Sequence, residues 1–337
     1  MSDNDRRMAR RRIGIRGSIA ILAATAAILT LLALLIGRYP APGLTAPGLL
    51  AADPLAMRIL LRLRLPRIFA ALLLGLNLGL SGAVFQMLLR NPLVEPGFLG
   101  VSQGAALGAA LAILFFPAWG IHILPLIFAA GGLLLSFALA RAIRFGGWII
   151  RLVIAGLAVS AFMTAGIGLA KYVADPESQL QELTFWILGG LSDTRWQTLA
   201  VPAAVSLISM TLLLIFRWRM NILSLDDVSG FSLGARPAAE RMIFLLLASA
   251  GVAAMTSIAG IISWVGLLVP HLARRVAGAD GRGLLPAAAL IGGILVLASD
   301  TLARTLLVSE IPLGIITSLW GAGLFVLILT RKGAALS

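Results

Sequence analysis

Apolar stretches of bilayer-spanning length recur along the whole of this 337-residue chain and leave it few ways to fold. A hydrocarbon core about 30 Å thick takes roughly 20 helical residues to cross. Candidate segments lie near 17–37, 66–89, 98–116, 121–141, 148–171, 195–216, 239–258, 259–275, 284–304 and 312–331. Lipid offers backbone N–H and C=O groups no partner, so segments of this kind form helices. The fold class is therefore all-α, a polytopic membrane protein of about ten transmembrane helices. Apolar character runs almost unbroken from Ile243 through Val269, and only Gly251, Gly260 and Gly266 punctuate the join between the seventh and eighth helices. Charged residues make up 12% of the chain, about half the usual share in soluble domains.

Charge sets the orientation. The chain carries 27 Lys and Arg against 14 Asp and Glu. Its basic residues sit between apolar runs and form no continuous basic or aromatic-interleaved face, which excludes a nucleic-acid partner. They read as positive-inside signals. Residues 1–16 form a basic cytoplasmic tail with Arg6, Arg7, Arg10, Arg11, Arg12 and Arg16, and 17–37 is a retained first helix. Residues 17–331 then form one transmembrane domain with both termini cytoplasmic. Arg58, Arg62, Arg64 and Arg67 crowd the outer side before the second helix, against the rule.

Several chemistries are excluded. Cysteine is absent, and only His122 and His271 remain as imidazole ligands, so no metal site is expected. The lysines are Lys171, followed by Tyr172, and Lys332, followed by Gly333, so no phosphate-binding P-loop exists. No nucleophile–base cluster has credible spacing, and the chain is not expected to be an enzyme. His271, beside Pro270 at a helix end, reads as a hydrogen-bonded structural residue. Asn77, Gln86, Asn91, Ser102 and Gln103 are polar within or beside apolar runs, and either face an interior pathway or bond between helices. Trp186 and Trp196 suit membrane-interface anchoring. Asp300 and Arg304, four apart, are expected to form a structural ion pair on one helix face.

Particular strings go further. Arg64-Leu65-Pro66-Arg67 continues through Ile68 to Gly75, SGAVFQMLLRNPLVEPGFLGVSQGAALG occupies 81–108, and GLLVPHLARRVAGAD occupies 266–280. With Asp300, Arg304 and Glu310-Ile311-Pro312-Leu313-Gly314, these resemble the permease family of ABC importers for iron-siderophores, haem and cobalamin, the membrane subunits of type II importers. The resemblance covers nearly everything after the first helix. It implies a homodimer in the bacterial inner membrane with the pathway at its interface. It also implies two cytoplasmic ATPase subunits and a periplasmic binding protein that delivers a metal chelate. This chain would hold no cofactor, since ATP and Mg would belong to the ATPase.

The same resemblance assigns residues. Arg64, Arg67 and Arg304 match positions that dock the binding protein, while snorkelling at the membrane edge is the alternative. The segment 272–284 matches the element that couples to the ATPase, with Arg274, Arg275, Gly278, Asp280 and Arg282 as contacts, expected on two short helices around a turn. The family often has His where this chain has Gly281. The loop 221–240 is a secondary coupling candidate. An ion-coupled secondary transporter is the competing reading, although acidic residues are nearly missing from the helix centres. Iron-siderophore, haem, cobalamin and molybdate remain open as cargo.

Overall fold

The computed structural model describes residues 3–39, 43–46, 48, 52–116, 120–307 and 309–330, with side chains from Gly14 onward. Arg6 to Arg12 have side chains outside the described ones, as does His122, and Arg331 and Lys332 lie beyond the described residues. The elements in order are α1 (Asp3–Leu35), a hairpin of β1 (Ile36–Gly37) and β2 (Gly43–Leu44), α2 (Pro54–Leu88), α3 (Val101–Phe115) and α4 (Gly120–Ala142). They continue with α5 (Trp148–Val173), α6 (Gln179–Leu188), α7 (Trp196–Ile215), α8 (Arg217–Leu223), α9 (Asp227–Ser232) and α10 (Pro237–Ala259). The chain closes with α11 (Val265–Ala277), α12 (Gly281–Ala303) and α13 (Leu313–Thr330).

Among the described residues, seven helices are long and apolar enough to cross a membrane. The shorter α3, α11 and α13 complete a one-for-one match with the ten apolar segments. The eighth segment starts at Val265 and not at 259, because Gly260 (φ 67°) and Trp264 (φ 72°) hold backbone conformations that end one helix and delay the next. The second segment starts earlier than expected, at Pro54. It passes through a π-turn at Leu60–Arg64, where the Leu65 N–H bonds to the Leu60 carbonyl. Pro66 has no N–H to donate to its own preceding turn, and wider bonds absorb the mismatch.

The buried centre is α2, which packs lengthwise on α12. A methyl on Gly75 would overlap the Gly292 carbonyl, and one on Gly292 would overlap the Gly75 carbonyl, so these helices touch backbone to backbone. Polar side chains on α2 bond across to neighbours. Asn77 Nδ2 donates to Ser206 Oγ, Ser81 Oγ to the Ala248 carbonyl at 3.0 Å, and Gln86 Nε2 to the Leu267 carbonyl at 3.0 Å. Asn77 and Gln86 thus serve interhelical bonding. The hairpin is antiparallel, pairing Ile36 with Leu44 and Gly37 with Gly43, and Tyr39 donates to Asp53 at 2.7 Å, tying it to the start of α2.

Candidate functional site

The outer end of α2 carries a buried charge cluster. Arg67 Nε lies 2.9 Å from Asp300 Oδ1 on α12, and its Nη1 lies 2.9 and 2.8 Å from the two oxygens of Glu310. Asp300 is fully buried. Arg304 Nε stands 3.9 Å from the other Asp300 oxygen, and its Nη2 donates to the Ala33 carbonyl. The expected Asp300–Arg304 pair is therefore the looser of two. A long-range partner from α2 takes the carboxylate more closely than the neighbour one turn away.

Arg64 lies under the hairpin, its guanidinium against Gly37 where any side chain would collide. It donates to the Leu34 carbonyl at 3.2 Å, Thr45 Oγ1 at 3.1 Å and the Tyr39 carbonyl at 3.4 Å. Arg64 and Arg304 are each only 8% exposed, whereas Arg58 and Arg62 on the same stretch are exposed. Three cations (Arg64, Arg67, Arg304) against two carboxylates leave this end net positive. The motif residues form its base, and the arginines outside the motif form its surface. Trp196 packs beside it, donating from Nε1 to the Leu61 carbonyl at 3.0 Å and contacting Phe69 at 6.3 Å between ring centroids.

At the opposite end, α11 and α12 meet in a tight turn. The segment 272–284, expected to couple to an ATPase, is the last turn of α11, three connecting residues and the first turn of the long α12, not two separate short helices. Gly278 has φ 77° and ψ −172°, a conformation closed to side-chain-bearing residues. Asp280 caps α12 by accepting from the Arg282 N–H at 2.9 Å. Asn221 on α8 locks the turn from below, accepting from the Gly281 N–H at 2.8 Å and donating to Asp280 at 2.7 Å. A Cβ at Gly281 would meet the Arg217 carbonyl at 2.8 Å and Asn221 Oδ1 at 3.0 Å, which explains glycine here. Arg275 and Arg282 are exposed, Arg274 is partly buried, and Arg282 lies 5.7 Å over the Trp218 ring.

The 221–240 loop forms the flank of this platform. Arg241 fastens α9 by pairing with Asp227 at 2.5 Å and donating to the Leu223 and Leu225 carbonyls, while Arg219 holds Glu240 at 2.7 and 2.9 Å. Backbone and side-chain donors from Ser229 hold Asp226 below the usual carboxylate range. Val228, Phe231 and Leu233 are left 77%, 72% and 57% exposed, an apolar surface beside the basic one. His271 Nδ1 sits 2.9 Å from the Leu267 carbonyl within its own helix, a structural contact.

Two cavities lie at different points along the connection between α10 and α11. An outer one of about 420 Å³ is lined by Glu182, Trp186, Asp193, Thr198, Ser257 and Gly260. A second of about 230 Å³ is lined by Glu95, Ser102, Gln103, Ser160, Thr256 and Ser263. Residues 256–263 contribute to both walls. Glu95, in the 89–100 connection outside the helical spans, faces the Trp264 backbone N–H, and burial pushes its carboxyl up to about 7. No group of three or more His, Cys, Asp or Glu suited to a metal occurs among the described residues.

Sequence reasoning gave Glu95 and Trp218 no role and reached Asn221 only as the first residue of the 221–240 loop. Glu95 stood in a quoted motif without a role, and its only signal was a carboxylate inside an otherwise apolar string. Asn221 and Trp218 act through a contact some sixty residues distant in sequence, which spacing does not reveal.

Seven helices long and apolar enough to cross a membrane, with a cationic cluster at one end of the central pair, define a polytopic helical membrane protein. Residues 23–331 match the FecCD transport family, and the chain belongs to that family. It is 37% identical to the molybdate import system permease protein of Haemophilus influenzae, over 82% of each chain. It is 38% identical to the hemin transport system permease protein of Yersinia pestis, over 81% of this chain and 84% of that one. A solved structure assigned as a metal-chelate type ABC transporter, in an inward-facing conformation, superposes with a TM-score of 0.86 at 35% identity, covering 93% of this chain and 98% of the other. The chain is an ABC transporter permease subunit and not an enzyme.

Proposed function

We propose that this permease moves an iron-siderophore or related metal chelate into the cytoplasm by alternating access, as one of two identical subunits in a bacterial inner membrane. ATP and Mg would be held by two separate ATPase subunits at the α11–α12 turn, and a periplasmic binding protein would deliver cargo at the outer arginines. Relatives named for hemin, Fe(3+)-citrate and cobalamin support a chelate, and the molybdate relative keeps an oxyanion as the competing cargo.

The observation that carries the mechanism is continuity. The segment 256–263 borders both cavities and runs through Trp264 directly into α11, which ends at the coupling turn. α11 is only thirteen residues long, with Pro270 inside it, so displacement of the turn by a closing ATPase carries through it to the wall between the cavities. Exposed Phe231 and Val228 give the ATPase an apolar contact, and Arg275 and Arg282 give it charge. On the outer side, exposed Arg58 and Arg62 meet acidic groups first, with Arg64, Arg67 and Arg304 holding the base beneath.

The test is uptake into proteoliposomes containing this chain, its ATPase and its binding protein, with ferric siderophore, haem, cobalamin and molybdate compared. ATP-dependent accumulation of a chelate is the expected result. Uptake driven by an ion gradient without ATP would overturn the importer reading, and accumulation of molybdate alone would overturn the cargo.

A further inference from the structure

Helices α4, α7 and α10 enclose a cleft of about 440 Å³, distinct from both cavities described above. Its walls are Leu126, Ala130, Leu134, Val205, Leu247 and Ile243, and Leu134 and Ile243 are 58% and 52% exposed on its rim. The polar side chain in the lining is Ser249, whose Oγ has no partner among the described residues. From Ile243 to Ala253 the wall follows α10 for ten helical steps, roughly 15 Å at 1.5 Å per residue. These positions are central in three membrane-crossing helices, so the medium around the cleft is hydrocarbon.

At the cytoplasmic end, Arg141 reaches from the last turn of α4 across to α10, where its Nη2 donates to Met242 Sδ at 3.4 Å, next to the rim residue Ile243. A thioether is a weak acceptor, and it leaves most of the guanidinium's donors unspent. The Arg141 side chain is exposed, and exposed Arg144 follows in the same turn-and-loop. Arg141 lies seven residues beyond Leu134, about 10 Å further along α4, which places the charge near the membrane boundary and the cleft below it. We infer that this cleft is a binding site for one anionic phospholipid of the cytoplasmic leaflet, with an acyl chain between α4, α7 and α10 and the headgroup phosphate on Arg141.

The apolar lining accepts any chain, and the arginine supplies the selectivity for negative charge. A second copy of the protein would have to fill a recess at membrane mid-depth. An acyl chain fits that shape and matches every lining side chain except the Ser249 hydroxyl.

Native mass spectrometry of the delipidated full chain tests this, using palmitoyl-oleoyl phosphatidylglycerol and the matching phosphatidylcholine at equal concentration. Phosphatidylglycerol adducts should exceed phosphatidylcholine adducts by roughly fivefold, the pull of one basic residue on an anionic lipid. Arg141→Ala should equalise the two lipids, Arg141→Lys should keep part of the preference, and Ala250→Phe should reduce binding of both by filling the cleft. Equal binding of the two lipids to the unaltered protein would overturn the proposal. So would a preference that survives Arg141→Ala, or loss of both lipids when two copies associate, which would assign the cleft to a protein contact.

Discussion

Arg67 of α2 and Asp300 of α12 meet at 2.9 Å where the two central helices reach the outer face, and Asp300 there is fully buried. Removing Arg67 leaves buried Asp300 with only the looser Arg304 at 3.9 Å, and removing the Asp300 charge leaves Arg67 with Glu310 alone. Asp300→Asn or Arg67→Ala should each destabilise the permease by about 1–3 kcal/mol, read as a fall in melting temperature in detergent. Replacing both with apolar residues of similar volume should cost much less. Equal losses for the single and double variants would mean that the pair's charge is not what matters.

Exposure separates the outer arginines into two groups. Arg58→Glu with Arg62→Glu should weaken binding-protein association about tenfold, mainly through the association rate and more strongly at low salt, with no change in melting temperature. Arg64→Glu places a carboxylate against backbone carbonyls beneath the hairpin and should lower melting temperature before any effect on docking is seen. Surface plasmon resonance across a salt series, paired with thermal scans, distinguishes the groups. Unchanged association in the exposed double variant would return those arginines to a topological role.

On the proposed mechanism, the turn at Gly278–Asp280 transmits motion only while it is held. Asn221→Ala removes its bonds to Gly281 and Asp280 and should reduce transport per ATP hydrolysed by about tenfold, the worth of roughly one such bond. Basal ATPase of the separate subunits should be unaffected. Gly281→Val, which collides with the Arg217 carbonyl, should do the same. A variant that transports with normal stoichiometry would show that α8 does not brace the turn.

Glu95 gives a pH signature. Its folded-state carboxyl is raised from 4.5 to about 7, so the folded protein holds a proton that the unfolded chain gives up earlier. The stability contributed by this group is complete below about 4.5 and is lost as pH rises through about 7. Glu95→Gln cannot ionise and should melt higher than the native protein at pH 8, with the difference closing by pH 5. A difference independent of pH would mean that the substitution acts through packing and not through charge.

The crossing helices were legible because each is long enough to span hydrocarbon, and hydropathy alone marks that. Family motifs then pointed to Arg64, Arg67, Arg304 and the segment 272–284. The expected pairing of Asp300 with Arg304 followed from helical spacing, and the structure shows Arg67 in the nearer place, 233 residues away in sequence. Spacing along one helix counts only local neighbours. The same limit hid Asn221 beneath Gly281 and gave Glu95 no role.

By itself the sequence determined the class of the protein, its orientation and the approximate limits of its helices, because lipid imposes length and internal hydrogen bonding on any chain that crosses it. Only the tertiary structure decided which charges face inward, how Gly75 and Gly292 bring two backbones into contact, and that one short helix joins the cavity wall to the inner turn. Those outcomes depend on packing between segments distant in the chain, where the geometry of contact selects among partners that composition leaves equivalent.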